Sequence, residues 1–218
     1  MPDGALEREL ARVGCRLVAG VDEVGRGAWA GPVSVGVAVV DPERLDAMPS
    51  GLRDSKLLGP SARASLVPAL AEACCAYAVG HASPGECDEL GMTAAQRLAT
   101  TRALALLAER PDALIVDGRF DFTGDPRAVA VVGADRTSVA VAAASVLAKV
   151  TRDEMLVGLA DRYPGYGLER NKGYPTPGHR RAVGLLGLTD IHRMSWSFTR
   201  RLDDQVPGLR GTRRRSRL

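Results

Sequence analysis

The sequence has no apolar stretch long enough to cross a bilayer, which takes about 20 residues in a helix. The Ala-rich run that begins at Val139 is interrupted by Ser145 and Lys149. The first ten residues carry four charged side chains and therefore lack the apolar segment of a signal peptide. These absences argue against membrane and secreted proteins, and they predict a cytoplasmic location with no membrane partner.

The sequence also lacks a cysteine pattern of the kind that marks a metal site. The four cysteines form no Cys-X-X-Cys pair and have no histidine at zinc spacing. Cys74 and Cys75 lie in an apolar run typical of a strand, where a cysteine behaves as a small hydrophobic residue. We therefore expect free, buried thiols in a reducing compartment, and neither a disulfide framework nor a zinc site.

The composition is that of one globular domain with an uneven charge distribution. The chain has 218 residues, 45% of them hydrophobic and 25% charged, and a net charge of only +3. Residues 210–218 nevertheless contain five arginines and no acid. Such a run predicts a solvated, disordered tail, and its functional interpretation is a non-specific contact with phosphates. We expect one domain over residues 1–199 and a basic tail over 200–218.

Hydrophobic periodicity predicts an α/β fold with a mixed sheet. Apolar, β-rich runs predict strands at residues 16–21, 31–40, 74–81, 113–116 and 128–132, the first two forming a hairpin. Helical spacing or composition predicts helices at residues 60–73, 93–110, 137–163 and 177–186, with another after Ser83. Ser83 and Thr93 each stand three positions before Glu or Gln, which is the pattern of a capping box, and Thr176 caps the last helix.

Four acidic residues stand at the ends of apolar strands. Asp22 and Glu23 run straight into glycines, Asp117 follows the strand at 113–116, and Asp135 precedes a helix. Neighbours in a regular strand point to opposite faces, so Asp22 and Glu23 share one site only if the strand ends or twists there. A single acid of this kind is best interpreted as a turn or capping residue. Together, the four predict a site at the edge of the sheet.

Carboxylates that are held close together repel one another, so they must protonate or bind cations. Oxygen-only ligands favour hard ions such as Mg²⁺ or Mn²⁺ over zinc. Two such ions about 3.5–4 Å apart can activate a water molecule and stabilise the leaving oxygen in phosphodiester hydrolysis. The spacing of the acids alone leaves the reaction open.

The residues around these acids resemble a known family. The string Asp22-Glu23-Val24-Gly25-Arg26-Gly27 is similar to the Asp-Glu-Ala-Gly-Arg-Gly signature of ribonuclease HII, the type 2 ribonuclease H of bacteria. Further blocks match in the family order: Asp54-Ser55-Lys56, Val116-Asp117-Gly118, residues 143–153 and Lys172-Gly173-Tyr174. The resemblance extends from about Leu17 to about Phe198, and five blocks in order are highly specific.

The resemblance implies a ribonuclease H-like fold, with a mixed five-stranded sheet flanked by helices and a helical C-terminal part. It implies that Asp22, Glu23, Asp117 and Asp135 bind two Mg²⁺ or Mn²⁺ ions when substrate is present. The implied activity is cleavage of the RNA strand in RNA–DNA hybrids and on the 5′ side of a single ribonucleotide in duplex DNA. The products would carry 3′-hydroxyl and 5′-phosphate ends. A monomer is the family habit, and its task would be ribonucleotide repair or primer removal.

In the family, one loop and one tyrosine determine which substrate is selected. Gly25, Arg26 and Gly27 match a loop that reads the 2′-hydroxyl, since glycines allow close backbone approach and the hydroxyl both donates and accepts hydrogen bonds. Tyr174 matches a tyrosine that stacks on the sugar next to the ribonucleotide. Without the resemblance, an ordinary hairpin turn and a half-buried surface tyrosine explain the same residues.

Four further residues correspond to contacts on the phosphate side: Lys56, Ser145, Lys149 and Arg152. Such contacts position a nucleic acid without reading its sequence. A solvated helix face is the alternative interpretation for Lys149 and Arg152. For Ser145 the alternative is a hydrogen bond to the preceding helical turn.

The chain departs from the family pattern in three places. Val24 replaces the usual alanine, and Gly133-Ala134 stands where many members have Lys-Gly. The string His192-Arg193-Met194-Ser195-Trp196 resembles a His-Arg-Arg-Ser-Phe block with two positions altered. These departures affect the groove and leave the metal ligands untouched. We interpret His179 and His192 as structural or phosphate-side residues rather than metal ligands or general bases.

Three alternatives compete with this family. Ribonuclease HIII carries an extra N-terminal domain, whereas the signature here begins at Asp22. A junction resolvase needs neither the Gly-Arg-Gly loop nor Tyr174. An inactive nucleic-acid-binding module needs only the basic residues, because carboxylates oppose phosphate binding unless a metal is present.

Overall fold

Five strands form one mixed sheet in the computed structural model, which describes residues 2–52 and 55–196. The strands are β1 (Val18–Val24), β2 (Val33–Val40), β3 (Ala76–Ala82), β4 (Ala113–Asp117) and β5 (Ala128–Val131). Their order across the sheet is β3-β2-β1-β4-β5. The pairs β1-β2 and β2-β3 are antiparallel, whereas β1-β4 and β4-β5 are parallel. The predicted α/β fold with a mixed five-stranded sheet is confirmed.

Helices cover both faces of this sheet. Within the described ranges they are α1 (Ala5–Arg12), α2 (Pro60–Ala73), α3 (Pro84–Leu90), α4 (Met92–Leu106), α5 (Val139–Gly158), α6 (Leu168–Asn171) and α7 (Pro177–Leu186). Short 3₁₀ turns occupy Leu45–Ala47, Ser55–Leu57 and Ala134–Arg136. None of these helices is long and apolar enough to span a membrane.

Glycines in the strands let helices α5 and α4 lie directly on the sheet. A Cβ atom added at Gly20 of β1 would stand 2.0 Å from the backbone carbon of Ala140 in α5. On the opposite face, a Cβ atom at Gly80 of β3 would stand 2.0 Å from the carbonyl oxygen of Ala99 in α4. Only glycine fits at such close approaches of two backbones. This packing fixes which side chains of β1 face α5.

The C-terminal part packs on the end of α5 and on the loop that follows β1. Its apolar cluster contains residues from both regions: Ala30, Leu156, Tyr166, Leu168, Ala182, Val183 and Ile191. Helix α7 begins where Thr176 predicted, because the Thr176 hydroxyl accepts a hydrogen bond from the backbone N–H of His179. The predicted helical C-terminal part is confirmed.

Local signals were right at one helix and wrong at the next. Ser83 and Glu86 form the expected capping box of α3. Helix α4 instead begins at Met92 with Gly91 as its N-cap and ends at Leu106, so the predicted Thr93 capping box is wrong. Gln96 is 3% exposed and belongs to the buried face of α4, so it does not reach back to a cap.

The expectation of buried thiols is confirmed for Cys74 and Cys87 and wrong for Cys75, which is exposed, while Cys15 is partly buried. Cys74 and Cys75 precede β3 rather than belong to it. Asp54, Phe198 and the basic tail lie outside the described residues. The domain boundary near residue 199 therefore stays a prediction.

Candidate active site

Asp22 lies in β1 on the face that packs against α5. It shares that face with Gly20, two residues earlier, and it is only 6% exposed. The Ser145 hydroxyl of α5 donates a hydrogen bond to its carboxylate. Burial, assisted by the nearby carboxylates of Glu23 and Asp117, raises the pKa of Asp22 to about 7. Asp22 is therefore a buried acid with two further carboxylates nearby.

Glu23 points to the other face of the sheet. The strand does not end at Asp22: Glu23 still pairs with Val35, and Val24 pairs with Ser34. The strand break that a shared orientation would require is therefore absent from this pairing. Burial raises the pKa of Glu23, Arg26 lowers it, and Asp117 raises it further. Glu23 is close enough to Asp22 and Asp117 to influence their charges electrostatically, although its side chain points in a different direction from that of Asp22.

Asp117 lies at the end of β4, next to the turn that carries Asp135. Because β1 and β4 are parallel, Asp117 emerges at the same edge of the sheet as Asp22. Its Oδ1 accepts a hydrogen bond of 2.9 Å from the backbone N–H of Ala134. The next residue, Asp135, is 6% exposed and lies in the turn directly before α5. The structure thus brings Asp117 next to the segment that carries Asp135.

The chemistry of these donors fits hard divalent ions. All four predicted ligands offer only carboxylate oxygens, which Mg²⁺ and Mn²⁺ prefer. The raised pKa of Asp22 reflects a negative charge that burial and its acidic neighbours disfavour, and a cation would relieve it. Across the described part of the chain, however, no three His, Cys, Asp or Glu residues form a ready-made metal cage. The metal ligands therefore remain a prediction.

The Gly-Arg-Gly loop and Tyr174 lie side by side. The backbone N–H of Gly25 donates a hydrogen bond of 3.2 Å to the Tyr174 hydroxyl. Gly25 has a positive φ of 86°, and a Cβ atom there would stand 2.2 Å from Nε of Arg152. Arg26 is exposed, and space around Gly27 is open. The structure brings together the two features to which the family resemblance assigns substrate selection.

Of the predicted phosphate contacts, Lys149 lies beside Tyr174 and Lys56 lies near Asp22. Nζ of Lys149 stands 5.3 Å from the centre of the Tyr174 ring and 2.8 Å from Oδ1 of Asp153. Lys56 is exposed in the turn Ser55–Leu57 and close enough to Asp22 to lower its pKa. Neither geometry tests a contact with phosphate, so both assignments stay predictions.

Ser145 is almost fully buried between two polar groups. Its hydroxyl bonds to the carboxylate of Asp22 and lies 2.8 Å from the Ser55 hydroxyl. These contacts link Ser145 to the candidate metal site and to the turn that carries Lys56. The predicted phosphate contact of Ser145 is neither supported nor contradicted by this placement.

The phosphate contact predicted for Arg152 is wrong. Arg152 is fully buried, and its guanidinium donates to three backbone carbonyls, those of Ala30, Pro32 and Lys172, at 2.9–3.0 Å. Burial lowers its pKa. The helical spacing put Arg152 on one stripe with Lys149, but the loop after β1 and the residues before Tyr174 cover that end of the stripe.

Two other buried charged residues, Arg193 and Glu7, have no role predicted from the sequence. Arg193, fully buried, donates to the carbonyls of Gly25, Arg26 and Gly31. Glu7 of α1, also fully buried, accepts hydrogen bonds from the Ser138 hydroxyl and the backbone N–H of Ala140 at the start of α5. Only the resemblance of the block at 192–196 marked Arg193, and no signal marked Glu7.

His179 and His192 form one hydrogen-bonded chain below Tyr174. The backbone N–H of Thr189 donates to Nδ1 of His192, so that nitrogen carries no proton. Nε2 of His192 then donates to Nε2 of His179 at 3.2 Å, and Nδ1 of His179 donates to the Tyr174 carbonyl at 3.0 Å. Both rings are buried. Their structural interpretation is confirmed.

The mixed sheet, with acidic residues where two parallel strands end together, defines an enzyme of the ribonuclease H-like class. The family model described as Ribonuclease HII matches residues 19–199, and the chain belongs to this family. Ribonuclease HII of Streptomyces avermitilis is 50% identical over 199 residues, which cover 90% of this chain and 84% of that relative. The chain is accordingly a ribonuclease H endonuclease, and members of this family act on RNA–DNA substrates.

Solved structures agree with this assignment. The ribonuclease H2 from Pyrococcus horikoshii OT3 superposes with a TM-score of 0.72 at 31% identity, covering 90% of this chain and 100% of that one. Bst-RNase HIII in complex with Mn²⁺ superposes with a TM-score of 0.65 at 22% identity, covering 89% and 71%. The latter likeness shows the shared fold alone. The prediction of a ribonuclease HII rather than a different family is confirmed.

Proposed function

We propose that this endonuclease hydrolyses the RNA strand of RNA–DNA hybrids and also cuts duplex DNA on the 5′ side of a single ribonucleotide. The products would carry 3′-hydroxyl and 5′-phosphate ends. The observation that carries the proposal is the hydrogen bond between the Gly25 amide and the Tyr174 hydroxyl, because it joins a backbone loop and an aromatic ring beside Asp22. A loop that can bond the 2′-hydroxyl and a ring that can stack on a sugar suit an RNA–DNA junction.

The proposed cofactors are two Mg²⁺ or Mn²⁺ ions held by Asp22, Glu23, Asp117 and Asp135. When bound, such ions supply charge stabilisation at the phosphate and a water molecule of lowered pKa. Support comes from the oxygen-only donor set, the raised pKa of Asp22 and the Mn²⁺ complex of a protein with the same fold. The chain itself orients two of these carboxylates, since Ser145 bonds to Asp22 and the Ala134 amide bonds to Asp117.

Cationic side chains around the carboxylates would hold the backbone of the nucleic acid. Lys149 lies against the Tyr174 ring and is paired with Asp153, so binding a phosphate requires it to exchange one partner for another. Lys56 lies near Asp22. Contacts of this kind position a substrate without reading its bases, which suits an enzyme that recognises a sugar.

The carboxylate assignment is tested with Asp135→Asn and a matched control, Asp161→Asn, on an exposed residue near the end of α5. With Mg²⁺ or Mn²⁺, Asp135→Asn should abolish cleavage of a duplex that contains one ribonucleotide, while its binding remains. Asp161→Asn should cut as the unmodified enzyme does. Normal turnover by Asp135→Asn would remove this residue from the site.

We further propose that the enzyme works as a monomer in the cytoplasm and removes ribonucleotides from DNA. The family assignment supports this task. Light scattering on the purified protein, alone and with a ribonucleotide-containing duplex, measures the oligomeric state directly. A dimer at working concentrations would contradict the first part of this proposal.

A further inference from the structure

The segment Ile191–Ser195, here called the clamp segment, pairs with the loop that follows β1. The Gly31 amide donates to the Ile191 carbonyl, His192 forms a β-bridge with Ala30, and the Arg193 amide donates to the Trp29 carbonyl. These backbone contacts hold the side chain of Arg193 beneath the Gly-Arg-Gly loop. The clamp segment lies near the C-terminal end of the described residues and packs against the loop that follows β1.

Arg193 directs its guanidinium at three carbonyl groups of this loop, and its Cζ atom stands 4.7 Å from the centre of the Trp196 ring. Its Nη1 donates to the Arg26 carbonyl at 2.9 Å, and its Nη2 donates to the carbonyls of Gly25 at 2.6 Å and Gly31 at 3.2 Å. Its Nε is buried and has no partner among the described residues. Burial lowers the pKa of Arg193 to about 10, so it remains charged at neutral pH.

A guanidinium buried in this way is a costly structural element. Removing a charge from water is unfavourable unless strong partners compensate for it, and the partners here are three neutral carbonyls and the Trp196 ring. In Arg193 this charge fixes the orientation of the two peptide groups whose carbonyls it binds, those of Gly25 and Arg26.

The direction of these carbonyls determines where the loop's amides point. In a trans peptide, the C=O of one residue and the N–H of the next point in opposite directions. The Gly25 carbonyl points at Arg193, so the Arg26 N–H points away from it. The Arg26 carbonyl also points at Arg193, so the Gly27 N–H points away as well. Arg26 is exposed, and a Cβ atom added at Gly27 would have no neighbour within 4 Å, so the chain is open to solvent at the two residues whose amides point away from Arg193.

We propose that Arg193 is a positioning residue for ribonucleotide recognition: by holding the Gly25 and Arg26 carbonyls inward, it presents the Arg26 and Gly27 amides to the ribose 2′-hydroxyl. This inference rests on the proposed reading of the ribonucleotide by the Gly-Arg-Gly loop. Arg193 itself touches neither substrate nor metal. It sets how strongly the enzyme prefers a ribonucleotide over a deoxyribonucleotide.

Asp88 of α3 holds the clamp segment in place from the other side. Its carboxylate accepts hydrogen bonds from the backbone amides of Met194 and Ser195 at 2.6 and 3.0 Å and from the Ser195 hydroxyl at 2.7 Å. Asp88 therefore anchors the two residues that follow Arg193. A change at Asp88 perturbs the position of Arg193 without removing its charge, which supplies an independent variant.

The test measures binding of two duplexes, identical except that one contains a single ribonucleotide, in an Asp135→Asn background that does not cleave. Arg193→Leu should lower the preference for the ribonucleotide by about tenfold, the usual worth of one hydrogen bond. Arg193→Lys keeps the charge and some donors and should retain part of the preference. Asp88→Asn should reduce it less than Arg193→Leu does.

Arg127→Leu is the matched control. Arg127 also donates to a backbone carbonyl, that of Pro111 at 2.6 Å, and pairs with Asp125, but its contacts lie away from the loop. This variant should lower the melting temperature and keep the full preference for the ribonucleotide. It separates lost stability from lost recognition.

Each outcome of these binding and melting measurements either supports or overturns the proposed role of Arg193. A lowered melting temperature in Arg193→Leu with the preference unchanged would overturn it, since Arg193 would then only stabilise the fold. If Arg193→Leu does not fold, an unchanged preference in both Arg193→Lys and Asp88→Asn would overturn it equally. If the parent shows no preference between the duplexes, the proposed function itself fails, and the role of Arg193 fails with it. Cleavage on the 5′ side of the ribonucleotide by the enzyme with Asp135 intact, together with a reduced binding preference in the Arg193 variants, supports both.

Discussion

Replacing Arg152 by methionine separates two roles that its position on α5 could have. Methionine fills much of the same volume but donates no hydrogen bonds. The change would leave the carbonyls of Ala30, Pro32 and Lys172 without their guanidinium donor. These three carbonyls connect the loop after β1 to the segment that leads into Tyr174.

The expected loss of stability follows from these contacts. A buried acceptor left without a donor costs roughly 1–3 kcal/mol, so three of them could cost as much as about 9 kcal/mol. Removing a buried charge offsets part of that sum. We expect a net loss of about 3 kcal/mol in the free energy of unfolding, which is a large part of the 5–15 kcal/mol typical of a domain.

Urea denaturation of Arg152→Met and Lys149→Met measures this difference. Lys149 lies one turn earlier on the helix, is partly exposed and pairs with Asp153, so its loss should change stability by about 0.5 kcal/mol or less. Lys149→Met should instead weaken substrate binding and reduce its salt dependence. If Arg152→Met kept full stability and showed that salt effect, Arg152 would be a phosphate contact and the structural argument would be refuted.

Three further predictions concern packing, pH and substrate choice. Gly80→Ala should destabilise the protein by more than about 2 kcal/mol, because its Cβ would stand 2.0 Å from the Ala99 carbonyl oxygen. The control, Gly158→Ala, has open space around the added Cβ and should be neutral or stabilising. Urea titration measures both variants. Burial lowers the pKa of His192 to about 4, below its unfolded value of about 6.5, so its neutral form stabilises the fold above about pH 6.5. That contribution, on the order of 2–3 kcal/mol, should be lost as the pH falls from about 6.5 to about 4, and His192→Asn should flatten the pH profile of unfolding. Tyr174→Ala should reduce cleavage at a single ribonucleotide more than cleavage of a long hybrid; equal losses in kcat/KM would count against its role at the junction.

Elements with strong local signals were predictable from the sequence. Apolar runs located all five strands within a few residues, and Ser83 and Thr176 marked the starts of α3 and α7. The false capping box at Thr93 shows where such signals fail. Burial of Gln96 against the core outweighed the local hydrogen bond, and Gly91 began the helix two residues earlier than Thr93 would allow.

The acidic residues of the candidate site were predictable from the sequence, whereas the buried arginines that hold the surrounding loops were not. The positions of Asp22 and Asp117 follow from strand ends, since parallel neighbours emerge at one edge of a sheet. The roles of Arg152 and Arg193 do not follow from any local pattern. Each forms hydrogen bonds with carbonyls more than 100 residues away, apart from the contact between Arg152 and Lys172. A buried arginine and a phosphate-binding arginine look the same in a sequence.

Cleavage of a DNA duplex with one ribonucleotide, beside its all-DNA twin, tests the central claim most directly. With Mg²⁺ or Mn²⁺ present, the enzyme should make one cut, on the 5′ side of the ribonucleotide, and leave 3′-hydroxyl and 5′-phosphate ends. The all-DNA duplex should remain intact. Equal cutting of both duplexes, or a cut at another position, would contradict recognition of the 2′-hydroxyl by the loop at Gly25–Gly27.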